Sequence, residues 1–139
     1  MSLLMDLSAY LVAQTLAGGS TGWNLVRRRI VDEPDADQLI VLNEDGGSTE
    51  VPAVRGVGDA AMHDIGVQCL VRGPVGDSDA SLTRAELLRE HFHGKLNLTM
   101  NGHVYLRAMA RTPEPLFIGF DERSRPQHTI SFLFLTHAA

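Results

Sequence analysis

A single cysteine, Cys69, among 139 residues leaves no partner for an intramolecular disulfide and no thiol cluster for structural zinc. Basic residues are also scarce. Twelve Lys and Arg face 17 Asp and Glu, giving a net charge of −5 and a pI near 5.6, the wrong sign for a protein whose affinity comes from neutralising phosphates. No run of roughly eighteen apolar residues occurs, which excludes a membrane-spanning helix. The N-terminal stretch has neither the basic flank nor the small-residue cleavage site of a secretory signal. Repeats and low-complexity tracts are missing too. These absences predict a soluble, unexported product of a reducing compartment.

What is present suffices for one core: 44% of the residues are apolar and 21% are charged, in a chain of single-domain length. Ser2 can cap a first helix in which Leu4, Leu7 and Leu11 recur at helical spacing, with Asp6 near its positive end and Gly18-Gly19 as its stop. A short strand is expected over Leu25 to Val31 and a second over Gln38 to Leu42. Because Leu39 to Leu42 are apolar without alternation, the second should be covered on both faces. Asn43 to Ser48 reads as a turn. Met62 to Arg72 alternates, with Ile65, Val67, Cys69 and Val71 on one face and Gly66, Gln68 and Arg72 on a wet or interfacial one. "LTRAELLREHFHG" is a helix capped by Asp79 or Ser81, with Leu82, Ala85, Leu88 and Phe92 on the buried stripe and Gly94 at its end. Asn101-Gly102 marks a hairpin. A second hairpin follows, from Leu116 to Phe120 and Thr129 to Leu135, around the charged loop Asp121 to Pro126. The order of helix, strands, helix and four strands predicts an α+β domain: a mainly antiparallel sheet with two helices packed on it.

No catalytic frame emerges. His91 and His93 lie two apart on a helix and diverge, which does not suit a shared metal ion. They nonetheless define the enzyme alternative, a small metal-dependent hydrolase, with His63 or His103 as further ligands. Glu86 and Glu90 share the wet helical stripe. No G-x-S-x-G elbow organises the serines, and Gly56, Gly58 and Gly66 lack a Walker lysine or a strand-then-helix context. The chain is therefore read as no enzyme, without cofactor or metal.

The charged features read as contacts. Arg27, Arg28 and Arg29 form a charge-protected edge strand or a surface whose guanidinium forks meet carboxylates of a neighbour, such as Asp32, Glu33, Asp35 or Asp37; phosphate binding comes third, given the acids immediately downstream. Asp121, Glu122, Arg123 and Arg125 crowd the tip of the last hairpin, expected to be a docking loop that fixes register with a partner. On that reading, reversing Arg123 and Arg125 to Glu impairs assembly while the monomer stays folded.

Three stretches, taken in order, carry a resemblance: "IVDEPDADQLIVLNEDGG", a Pro-Asp segment entering a strand and ending in an acidic Gly-Gly turn; "IGVQCLVRG", a central strand; and "PLFIGFDERSRPQHTISFLFL", a closing hairpin. With the helix lying between the last two, the chain from Ile30 to Leu135 resembles the small tail-terminator proteins of long-tailed bacteriophages, also known as minor capsid, tail-completion or head-tail joining proteins. It departs from them at Glu33-Pro34, where that family often has an aromatic residue or methionine before the proline.

The resemblance implies a structural virion protein at the head-proximal end of the tail, assembled in the bacterial cytoplasm. A homo-oligomeric ring, typically of six copies, would cap the tail tube, stop its growth and meet the head connector or neck protein. DNA would pass through the lumen without specific binding, and six copies would together carry about −30, a charge that repels phosphates. Another neck or head-completion protein, or the tail-tube subunit, is the alternative within the same virion. A ring needs two different complementary sides on each subunit. The arginine run and the acids after it are such an asymmetry.

Overall fold

The computed structural model describes residues 3–18, 21–27, 37–47 and 62–137. Two helices and seven strands follow in the order α1 (Leu3–Ala13), β1 (Asn24–Arg27), β2 (Leu39–Gly47), β3 (Met62–Arg72), α2 (Ser78–Phe92), β4 (Lys95–Met100), β5 (His103–Ala110), β6 (Leu116–Phe120) and β7 (Pro126–His137). The architecture is α+β, as the sequence predicts. All neighbouring strands run antiparallel except β1 and β2, which are parallel.

β7 organises the sheet. One of its edges pairs with β3 over the full length, from Met62↔His137 to Arg72↔Gln127. Its other edge is shared: Phe132 to Leu135 pair with β5, and Pro126 to Thr129 pair with β6. β4 then covers the outer edge of β5, with the Asn101-Gly102 turn between them, where both residues take positive φ (51° and 82°) as a tight hairpin requires.

Both helices lie on one face. Leu4, Leu7 and Leu11 of α1, and Ala85, Leu88 and Phe92 of α2, join Ile40, Leu42, Val67, Cys69, Val71, Ile130, Phe132 and Phe134 in a single apolar cluster. Phe92 sits edge-on to Phe132 and Phe134, at 5.3 and 5.7 Å between ring centroids, a favoured aromatic geometry. Leu39 to Leu42 are all buried, in line with a strand covered on both faces.

Several expected boundaries move. Asn43 to Gly47 continue β2 instead of turning, because Asn43 and Glu44 keep pairing with Gln68 and Val67 while a bulge between Glu44 and Gly47 absorbs Gly46 at φ 72°. The helix α2 starts earlier than expected, since Asp77 is its cap and accepts a hydrogen bond from the Ala80 amide. The first helix ends at Ala13, before the glycines. Arg72 does not face water. It is fully buried, drawn inward by acids that lie far away in sequence.

Candidate functional site

The last hairpin is built from two opposite solutions to exposure. Its strand β6 is apolar and uncovered: Leu116, Phe117, Ile118 and Phe120 are 52 to 62% exposed. Its turn is polar and turned inward. Asp121 Oδ1 accepts from the backbone amides of Arg123 and Arg125, and Ser124 takes φ 61° to complete the turn. Arg125 Nε donates to Asp121 Oδ2 at 2.7 Å, and its guanidinium reaches Asp37 Oδ1 at 3.4 Å. Arg72 joins from β3, with Nε donating to the Asp37 carbonyl at 3.3 Å and its guanidinium 3.7 Å from Asp121. Burial works to raise the Asp121 carboxyl, but the hydrogen bonds from Arg125 and Arg123 and the Arg125 charge outweigh it and hold Asp121 below the ordinary carboxylate range.

This geometry revises the docking-loop expectation. Arg125 is 2% exposed and spends its charge within the chain, tying the turn to Asp37 before β2. Its reversal would place an acid beside Asp121, so the Arg123/Arg125 double reversal would destabilise the chain itself and would not isolate a docking role. Glu122 and Arg123 remain at the surface. Asp37, with its side chain 55% exposed, belongs to the same intramolecular network. Arg27 is exposed at the end of β1, while Arg28, Arg29, Asp32 and Asp35 lie outside the described residues.

The histidine side chains that the structure describes are engaged one by one, and that of His63 lies outside them. His91 Nε2 lies 2.7 Å from the Tyr10 hydroxyl, and His93 Nδ1 accepts the Ala110 amide at 3.0 Å. His103 Nδ1 is 3.0 Å from Asp6 Oδ2. Among the described residues, no three His, Cys, Asp or Glu side chains converge as a metal site. Ser81 Oγ and His128 Nδ1, 2.7 Å apart, resemble a nucleophile and base, yet both are buried and Ser81 also donates to the Ser78 carbonyl. The pair joins α2 to β7. Glu86 and Glu90 stand on the exposed side of α2.

Two further features were not foreseen from sequence. Asp6 is buried at 2% exposure and receives the Tyr105 hydroxyl at 2.6 Å and the Asn101 side-chain amide at 3.1 Å, so α1 is pinned to the β4–β5 hairpin through a carboxylate. An open cleft of about 360 Å³ lies between Trp23 and α2. Its cation is in use: Arg84 stacks over Trp23 at 5.2 Å and donates to the Leu16 carbonyl.

No family model and no curated protein matches the chain. Solved structures do. One covers 100% of this chain and 99% of its own, with a TM-score of 0.56 at 17% identity. That likeness shows the fold alone. No described helix is long and apolar enough to cross a membrane.

Proposed function

We propose that this chain is a structural assembly subunit, which forms a closed homo-oligomeric ring of the bacteriophage tail-terminator kind. One observation carries the reading. The strand β6 exposes two phenylalanines, a leucine and an isoleucine side by side, an apolar edge of the sort that marks a protein interface. Three titratable groups among the described residues hold elements together: Asp6 on Tyr105, His128 on Ser81, Arg125 on Asp121.

In this reading the subunit closes on copies of itself, caps the head-proximal end of a tail tube and faces the neck proteins, with an acidic lumen past which DNA slides. Native mass measurement and negative-stain microscopy of the purified protein test it. A single closed ring that halts the growth of tail-tube protein is the expected result. Open-ended polymers would identify a tube subunit instead, and a monomer that leaves tube growth unchanged would end the proposal.

A further inference from the structure

β1 and β6 bound opposite ends of one row of strands. Leu25, Ile40, Val71, His128 and Phe117 follow one another across β1, β2, β3, β7 and β6. Among the described residues, neither terminal strand pairs with anything beyond it. The two edges differ in character. β1 is four residues long, with Asn24 and Arg27 exposed and Leu25 and Val26 half-buried between them. β6 is five residues long and apolar on its exposed side chains, with no lysine, proline or inward charge to discourage pairing.

We infer that the outer edge of β6 in one copy pairs antiparallel with β1 of a second copy, head to tail, so that the sheet runs on from subunit to subunit. This inference rests on the self-assembly proposed above. Strand sense allows it. β1 runs with β2, while β2, β3, β7 and β6 alternate in direction, so β1 and β6 point oppositely within one chain. A second copy in the same orientation therefore presents β1 antiparallel to β6, the hydrogen-bonding arrangement that donates and accepts most directly.

Charge favours this pairing over β6 against itself. Head to tail, the exposed Arg27 at the end of β1 lies toward the start of β6, beside the exposed Glu114. Two β6 strands placed antiparallel would instead bring Glu114 of one copy toward the exposed Glu122-Arg123 pair of the other, where repulsion and attraction offset. Size points the same way. One five-residue edge presents a few hundred Å² at most, short of the roughly 800 Å² per partner of a stable two-chain interface. A head-to-tail contact engages two edges on every subunit and is completed by closure.

The test uses two single-substitution preparations, Ile118→Cys and Asn24→Cys, treated with a short bis-maleimide separately and after mixing. Cys69 is buried and stays silent. A cross-linked product of twice the 15.2 kDa chain mass should form in the mixture and in neither preparation alone. Phe120→Glu, at a position 62% exposed, should abolish that product and shift the oligomer to monomer mass while leaving the far-UV circular dichroism spectrum unchanged; Ile118→Lys serves as the second such variant. Self-linking of Ile118→Cys alone would overturn the head-to-tail arrangement. An oligomer that survives both charge variants and gives no mixed product would overturn this contact while leaving ring assembly intact. A protein monomeric at every concentration would overturn both.

Discussion

Arg125 and Asp121, four residues apart, close their turn upon itself: Nε lies 2.7 Å from Oδ2 while the arginine is 2% exposed. A pair so enclosed is costly to break from one side, because Asp121 keeps two amides and the more distant Arg72 but loses its closest cation. Arg125→Ala should therefore destabilise the protein by about 3 kcal/mol, read as a lower urea midpoint at unchanged slope. Arg123→Glu, at an exposed position of the same turn, should stay within about 0.5 kcal/mol. Equal effects from the two would remove the distinction between an inward and an outward arginine.

The carboxylate of Asp6 holds Tyr105 in the same manner on the other side of the core. Tyr105→Phe removes a hydrogen bond to a charged acceptor and should cost about 1.5–3 kcal/mol in chemical denaturation. Burial, then the hydrogen bond to Asp6 and its charge, push the Tyr105 phenol far above its ordinary value, and burial also raises Tyr10. Those are the two tyrosines of the chain. Both groups stay protonated in the native state past the roughly 10 of a free phenol, so stability from this source is complete below that pH and falls above it. In a Tyr10→Phe background, where Tyr105 is the tyrosine observed, tyrosinate absorbance should appear together with alkaline unfolding and not before.

On the acid side the histidines matter first. Desolvation lowers His128, against a partial upward pull from Glu86, and lowers His91 with help from Lys95. The unfolded chain then takes up protons at a pH where the native one does not. Stability should be level above about 6.5 and decline as the pH drops below it toward the folded values. Asp121, held down in the native state, adds a separate loss only below about 4. Thermal midpoints measured from pH 8 to 4 should show the first decline, and His128→Gln should reduce it.

Burial pushes the Cys69 thiol up to about 12. As the thiolate is the reactive form, a disulfide reagent at pH 8 should leave the native protein unmodified and label one thiol per chain once urea unfolds it. Rapid labelling of the native state would show that the centre of β3 opens to solvent.

The sheet and the second helix were legible because their signals are local. Leu82, Ala85, Leu88 and Phe92 recur every three or four residues, Val67, Cys69 and Val71 alternate, and Asn101-Gly102 dictates its own turn. What escaped depends on distance along the chain. Asp6 meets Tyr105 across 99 residues, and Arg125 meets Asp37 across 88, so the acid looked like a helix-end charge and the arginine like part of a solvent-facing tip. One local clue did exist. An aspartate followed two residues later by amides it can accept from is a turn-former in its own right, and Asp121 is better understood as the builder of its loop than as the loop's offering to a partner. The exposure of β6 was equally hidden, since "LFIGF" reads the same whether a neighbour covers its edge or none does.

The place of β7 in the sheet also sets a timetable. Because β3, β5 and β6 each pair along one edge with residues 126–137, the sheet cannot be joined across its middle until that segment is free to pair. Helices, the β2–β3 pair and the Asn101-Gly102 hairpin can form during synthesis, but the second edge of β3 must wait some sixty residues for β7, a long-range closure that makes for slow folding. In the interval a newborn chain carries bare apolar strands through a crowded cell, and a chaperone that shelters nascent polypeptides would find its binding site there.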